Sequence, residues 1–196
     1  MNMENIKPKI DSYFDFIIKT LNNLNRESII KFTELLLEVY KEGGTIFVFG
    51  NGGSGATASH FAGDFVKGVS RGLNKRFKVI CLNDNMPALT AVANDISYDD
   101  VFVEQLKNFI KKNDLVIGIS GSGNSVNIVK AIKYANNISV KTVAFCGFDG
   151  GKIKKIANLA IHADINDMET SEDIHLIITH CVKKIIIKET KNRVKD

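Results

Sequence analysis

Apolar residues recur with two different spacings along the chain. Over residues 1–42 they return every three or four positions, with an interruption near Asn25, which predicts two amphipathic helices. The Gly43-Gly44 pair predicts the end of the second helix. A small sheet domain needs no such segment, so we expect these helices to pack either between subunits or over the sheet.

From Thr45 onward, short apolar runs alternate with helical patterns. The apolar runs cover residues 45–49, 77–82, 115–119, 141–146 and 159–163. The helical patterns cover about 54–67, 87–94, 123–136 and 150–157, followed by a long pattern from Ser171 to about Lys188. Apolar strands separated by helices predict a parallel sheet covered on both faces. The predicted fold is therefore a three-layer α/β/α sandwich with a five-stranded parallel sheet and added N-terminal helices.

No linker or low-complexity segment divides the chain. We expect a single domain over residues 1–196, with 1–42 as a helical packing segment and 43–196 as the α/β core with its C-terminal helix. A signal peptide is not expected from the polar residues 1–5.

Composition and charge are those of an ordinary globular chain. Of 196 residues, 44% are hydrophobic and 24% charged, with a net charge of +4. We interpret the densest basic segment, residues 183–193, as a solvated helix end rather than a nucleic-acid site. Cys81, Cys146 and Cys181 lie in apolar surroundings without close pairing, so we expect reduced core thiols in a cytoplasmic protein.

Two of the predicted strands end in glycine-rich turns. The first strand runs into Gly50-Asn51-Gly52-Gly53-Ser54-Gly55, and the third into Ser120-Gly121-Ser122-Gly123-Asn124-Ser125. Such a turn before a helix leaves backbone N–H groups unpaired, with the positive end of the helix dipole behind them. These positions bind anions, and phosphate above all. In a parallel sheet both turns also lie at the carboxyl ends of strands, where ligands bind.

The first turn alone admits other interpretations. Gly50-x-Gly52-x-x-Gly55 matches the dinucleotide fingerprint, but the acid expected about 20 residues later is displaced to Asp84. No Gly-Lys-Ser/Thr follows the glycines, which excludes a Walker-type nucleotide loop. In the second turn, three hydroxyls interleaved with two glycines exceed what a polar turn with a helix cap needs. We therefore expect both turns to bind the phosphate of one small ligand and not a nucleotide.

Further segments complete a pattern that resembles a known family. GNGGS is followed by an alanine-rich helix with HFA-x-D, and then by AVANDISYDDVFVEQL, GISGSGNSVNIVKAI and EDIHLIITH. Over nearly its whole length the chain is similar to the sugar isomerase (SIS) domain superfamily, and within it to the phosphoheptose isomerases. The resemblance implies a homotetramer with active sites at subunit interfaces. It also implies conversion of sedoheptulose 7-phosphate to D-glycero-D-manno-heptose 7-phosphate through an enediol.

The resemblance assigns chemical roles to four residues. Asp64 and His180 would handle protons, and His60, Asp64, Glu172 and His180 would form the family's zinc site, with one ion per subunit. Asp64 stands where the family has Glu, which shortens the reach of the base by one methylene. Glu172 stands where the family has Gln, which adds a negative charge beside Asp64. Since Glu172 and His180 are eight positions apart, about 12 Å along a helix, both reach one ion only if Glu172 lies in an unwound first turn or the subunits share the site.

The phosphate is expected on the hydroxyls of both turns, and the family's substrate-contacting Asn-Asp pair falls on Asn94-Asp95. The predicted substrate-binding residues are Asn51, Gly52, Gly53, Ser54, Asp64, Asn94, Asp95, Ser120, Gly121, Ser122, Ser125 and Glu172. The expected partners are a phosphorylated sugar and further copies of the chain, with no nucleic acid and no membrane. No apolar run reaches the about 18 residues that a spanning helix requires.

Alternatives remain for the histidines and for the function. His60, which faces a glycine loop, and His180, among apolar neighbours, each also fit a structural histidine of the core. We interpret His175 as structural, with Thr179 one turn on as a local hydrogen-bond partner. The two departures from the family pattern also fit a non-catalytic SIS module that senses a phosphosugar. A requirement for the proton-handling pair would distinguish the enzyme from the binding module.

Overall fold

The computed structural model describes residues 6–192; residues 1–5 and Arg193 of the basic segment lie outside that range. The helices are α1 (Lys7–Asn23), α2 (Arg26–Glu42), α3 (Gly52–Gly63), α4 (Met86–Asp95), α5 (Val103–Phe109), α6 (Val126–Asn137), α7 (Gly151–Ile156) and α8 (Met168–Asn192). The strands are β1 (Thr45–Gly50), β2 (Lys78–Cys81), β3 (Leu115–Ser120), β4 (Lys141–Cys146) and β5 (Leu159–His162). A 3-10 turn covers Tyr98–Asp100, and a π-helical turn covers Asp64–Val69.

The strands form one parallel sheet in the order β2-β1-β3-β4-β5. The order reverses between β1 and β3, which pair directly, with Phe47 opposite Val116 and Gly50 opposite Ile119. In open α/β sheets the reversal point leaves a crevice at the carboxyl ends of the strands, because the connections leave on opposite faces. The two glycine turns follow β1 and β3, so the topology brings them side by side.

Alternate residues of each central strand belong to different hydrophobic layers. In β1, Val48 joins the layer formed with α2, α3 and α8, whereas Phe49 joins the layer formed with α4 to α7. In β4, Phe145 and Cys146 divide in the same way. Both faces of the sheet are therefore covered, which explains why the strands are apolar throughout. The predicted three-layer sandwich with five parallel strands is confirmed.

The N-terminal helices end and begin where local chemistry requires. Asn25 caps α2, since its Oδ1 accepts a hydrogen bond from the Ser28 N–H at 3.2 Å. Gly43, with φ +76°, closes the same helix in the left-handed conformation. Helix α1 is attached to α8 by a 2.5 Å hydrogen bond from the Tyr13 hydroxyl to Asp173.

Two local predictions are wrong. Helix α8 begins at Met168 rather than Ser171, because the Asp167 carboxylate accepts the Thr170 N–H at 2.8 Å and supplies the cap. Cys181 is exposed and is therefore no core thiol, whereas burial raises the pKa of Cys81 and Cys146 to about 12.

Candidate active site

Close packing between the end of β1 and the start of α3 shapes the first glycine turn. A Cβ on Gly50 would lie 2.6 Å from the backbone carbonyl of Ser54, so a larger residue would push the helix away. The side chain of Asn83 holds this turn by accepting from the Gly50 N–H at 3.1 Å and donating to its carbonyl at 2.7 Å. The start of α3 is therefore fixed against the sheet.

The second turn presents hydroxyls that are not used as helix caps. The Ser120 and Ser125 hydroxyls lie 3.1 Å apart, and Ser122 accepts from the Asn124 N–H at 3.2 Å. Neither Asn51 nor Ser125, which precede α3 and α6, makes a side-chain capping hydrogen bond with any residue between 6 and 192. Two helix N-termini that lack side-chain caps thus offer their first-turn N–H groups and dipoles to a ligand.

Paired amides join the two turns. Asn51 donates to Asn127 Oδ1 at 2.9 Å, and Asn127 donates back to Asn51 Oδ1 at 3.0 Å. The Tyr98 hydroxyl donates to the same Asn51 oxygen at 3.0 Å. Because Asn127 is buried at the start of α6, this pair sets the spacing of the turns.

A cavity of about 290 Å³ lies between the turns. Its lining residues are Asn51, Gly52, Gly53, Ser54, Ile119, Ser120, Gly121, Ser122, Ser125, Met168 and Glu172. Glu172 lies so close to the first turn that a Cβ on Gly53 would collide with its carboxylate. The structure thus brings most of the predicted substrate-binding residues together in one cavity.

Asn94 and Asp95 lie elsewhere. They end α4, are exposed, and hydrogen bond to each other at 2.8 Å. Within the described part of the chain they do not line the cavity. Tyr98, a few residues later, is instead the residue of this segment that reaches the first turn through Asn51.

A cluster of polar side chains forms where α3 and its π-helical continuation pass α8. The His60 and His180 Nε2 atoms lie 2.8 Å apart, and Asp64 Oδ2 lies 3.4 Å from the first and 3.6 Å from the second. The His60 side chain is 50% exposed and that of His180 43%, so the interpretation of either as a core histidine is wrong. π-helical turns concentrate at functional sites, and this one starts at Asp64.

The donor set of this cluster suits zinc. One nitrogen from each histidine and one Asp64 oxygen lie within 4.8 Å of one another. Two imidazoles and a carboxylate are a ligand set found in zinc enzymes. Glu172 is not part of this group among residues 6–192, and α8 is continuous from Met168, so no unwound turn carries Glu172 toward His180.

Lys183 is the residue of this site that the sequence analysis missed. Its ammonium forms an ion pair with Asp64 Oδ1, and its side chain is only 25% exposed, so its interpretation as part of a solvated helix end is wrong. The available signal was spacing, because Lys183 lies three positions after His180 and therefore on the same face of the helix.

His175 lies on α8 between the residues of the cavity and those of the cluster. It is fully buried against Phe145, and neither ring nitrogen has a hydrogen-bond partner among the described residues. The predicted pairing with Thr179 is wrong, since that hydroxyl donates to the Leu176 carbonyl. Burial lowers the pKa of His175 to about 4, so the imidazole is neutral at pH 7.

Comparison with known proteins shows the family of the chain. A family model described as an SIS domain matches residues 12–147. The chain therefore belongs to the SIS domain family.

Individual relatives within the family indicate a narrower group of enzymes. The chain is 37% identical over 177 residues to a probable phosphoheptose isomerase of Thermoplasma volcanium, covering 90% of each chain. It is 36% identical over 175 residues to the phosphoheptose isomerase of Helicobacter pylori, covering 89% of this chain and 90% of the relative. The solved structure of phosphoheptose isomerase from Neisseria gonorrhoeae superposes with a TM-score of 0.85 at 27% identity, covering 93% of this chain and 98% of the other. These relatives group the chain with the phosphoheptose isomerases and favour an enzyme over a binding module.

Proposed function

We propose that this protein is an aldose–ketose isomerase that interconverts sedoheptulose 7-phosphate and D-glycero-D-manno-heptose 7-phosphate. The observation that carries the proposal is the arrangement of two sites along the same pair of helices. Gly53 of α3 lies against Glu172 of α8 at the cavity, and further along both helices His60 lies against His180. A phosphate held at the cavity therefore leaves the rest of an extended sugar free to reach toward the cluster.

The proposed role of the cavity is to bind the phosphate group of the sugar. The hydroxyls of Ser54, Ser120, Ser122 and Ser125 can donate to phosphate oxygens, supported by the N-termini of α3 and α6. Asn51, Gly52 and Gly53 let the backbone approach the sugar closely. Binding the phosphate, which lies away from the reacting carbons, positions those carbons and so lowers the entropic part of the barrier to the chemical step.

The reacting end needs a base that moves a proton between neighbouring carbons and a positive partner for the enediol oxygen. We assign the proton transfer to the Asp64 carboxylate and to His180, which face each other across 3.6 Å. Asp64 occupies the base position even though it is one methylene shorter than the glutamate of the family pattern. Asp64 is the first residue of a π-helical turn, a feature that often marks functional positions in helices.

We also propose zinc as the cofactor, with His60, Asp64 and His180 as the residues that would hold it. When bound, the ion would supply positive charge near the oxygen of the enediol. Glu172 stays a proposed fourth ligand only if the neighbouring subunit supplies it, because within one chain it lies at the cavity.

A homotetramer is the proposed assembly. Helix α1 exposes large apolar side chains along its length, including Ile10 at 50%, Phe14 at 57% and Ile18 at 55%. Exposed apolar surface of this kind is typical of association sites. No helix of residues 6–192 is long and apolar enough to cross a membrane. The cytoplasm is the proposed location, supported by the free cysteines Cys81 and Cys146 in the core.

The test is turnover of sedoheptulose 7-phosphate by the purified protein, with and without added zinc, beside the Asp64→Asn variant. We expect the wild type to turn over the substrate and the Asp64→Asn variant to lose this activity. No turnover, with a melting temperature that still rises with the sugar phosphate, would contradict the isomerase and support a binding module. Neither turnover nor a thermal shift would contradict phosphosugar binding as well.

A further inference from the structure

The two oxygens of the Asp64 carboxylate have different partners. Oδ1 contacts the Lys183 ammonium, whereas Oδ2 faces the Nε2 atoms of His60 and His180 at 3.4 and 3.6 Å. The carboxylate charge is therefore already balanced by a cation that belongs to the chain itself.

The lysine passes close to a glycine on its way to Asp64. Gly68 lies in the π-helical turn, and a Cβ there would come within 3.0 Å of Lys183 Cε and 3.5 Å of its Nζ. At 3.0 Å the lysine stem would have to move by a few tenths of an ångström, so Gly68 lets Lys183 extend to Asp64 without that shift. The half-buried stem also keeps the ammonium from moving freely into water.

The two histidines are paired as well. Their Nε2 atoms lie 2.8 Å apart, a hydrogen-bond distance at which one imidazole donates to the other. The Asp64–Lys183 pair and the His60–His180 pair thus satisfy the cluster from within the chain, and a divalent ion must compete with both.

We propose that Lys183 sets the divalent-cation affinity of this cluster by competing with the ion for Asp64. Once an ion of charge +2 joins the cluster, Asp64 supplies the carboxylate of this group and the ammonium adds a further positive charge. Lys183 then repels the ion, and the two cations share the Asp64 carboxylate. The proposal rests on the proposed function only in that zinc would bind at the same residues.

The test measures zinc binding directly, without substrate. Purified wild-type protein, Lys183→Met and Lys184→Met compete for zinc with a chromophoric chelator of known affinity, and His60→Ala shows which binding belongs to the cluster. Lys184→Met is the matched control, because it removes the same formal charge from the next residue of the helix. Lys184 is exposed and has no ion pair within the described ranges. Circular dichroism and melting temperature establish that each variant folds, and Lys183→Gln replaces the methionine variant if that one does not.

Lys183→Met is expected to bind one zinc ion per chain at least about tenfold more tightly than the wild type, because a unit charge a few Å from a divalent ion is removed. Lys184→Met is expected to stay within about twofold of the wild type, since water and salt screen its charge. Equal affinity for both lysine variants would overturn the proposal. Weaker binding by Lys183→Met would also overturn it and would make Lys183 a residue that orients Asp64 for the metal. The zinc affinities of the variants can be compared even if the turnover assay fails, so the proposal can be tested separately from the isomerase assignment.

Discussion

The cavity between the glycine turns and the His60–Asp64–His180 cluster are built in opposite ways. The cavity comes mainly from two short segments, each of which directly follows a strand of the sheet. The cluster comes from side chains on two helices, and His60 and His180 are 120 positions apart. A site made of turns is therefore visible as a motif in the sequence, whereas a site made of helix faces depends on how the helices pack.

The two regions also differ in charge. The cavity offers hydroxyls and backbone N–H groups, and the Glu172 carboxylate is the one charged side chain among its described lining residues. The cluster contains a carboxylate, two imidazoles and an ammonium in mutual contact. Changes in the cavity should therefore affect binding, and changes in the cluster should affect the chemical step.

The largest expected effect follows from Asp64→Asn. An amide of the same size cannot accept the proton, so kcat for sedoheptulose 7-phosphate should fall by about 10²–10⁴. The measurement is steady-state turnover, with the thermal shift caused by the sugar phosphate as a control for binding. A variant that retains most of its kcat would remove the cluster from the chemistry and end the contrast between the two regions.

The next effect concerns α8, which connects the two regions. His175 has a folded-state pKa of about 4 against an ordinary value of 6.5, so the unfolded chain takes up its proton first as the pH falls. The stability contributed by the neutral imidazole is complete above pH 6.5 and is lost as the pH falls toward 4, to a total of about 3 kcal/mol.

Urea unfolding of the wild type at pH 7 and pH 4.5 measures this loss. His175→Leu is the matched variant, because it keeps an apolar side chain in the same place and has no titrating group. The wild type should lose more unfolding free energy than the variant on acidification. Parallel losses would show that His175 carries its proton equally well in both states.

Ser122→Ala should produce a smaller effect, restricted to binding. Loss of one hydroxyl that donates to a charged phosphate costs about 1.5–3 kcal/mol, so KM should rise by roughly ten- to a hundredfold while kcat changes little. Ser59→Ala is the control, because this hydroxyl of α3 donates to Asp84 outside the cavity. A fall in kcat with an unchanged KM would assign Ser122 to the chemical step. It would contradict the division between a cavity for binding and a cluster for chemistry.

The smallest effect is expected from Tyr98→Phe. The Tyr98 hydroxyl donates to Asn51 at 3.0 Å, and a neutral hydrogen bond of this kind is worth about 1 kcal/mol. Because its loss affects binding only by loosening the first turn, KM should rise by at most about fivefold. Tyr134→Phe on α6 removes a hydroxyl away from both turns and should leave KM unchanged. Equal KM values for the two variants would show that Tyr98 does not support the first turn.

Local patterns in the sequence predicted all five strands, most of the helices and most residues of the cavity between the turns, but not α5 (Val103–Phe109). The apolar runs matched all five strands to within a few residues, and Asn25 and Gly43 marked the boundaries of α2. The turns at Gly50 and Ser120 were recognisable because glycine spacing, helix starts and strand ends are properties of neighbouring residues. The parallel sheet then brought the turns together at the β1–β3 reversal.

Tertiary packing decided the rest. The contact of Lys183 with Asp64, the separation of Glu172 from the cluster and the unpaired burial of His175 all depend on how α8 lies against α3 and the sheet. Spacing along a helix tells which residues share a face, but not which atoms of another helix that face meets. That choice is made by the packing of side chains distant in sequence, such as Phe145 against α8, and no local pattern encodes it.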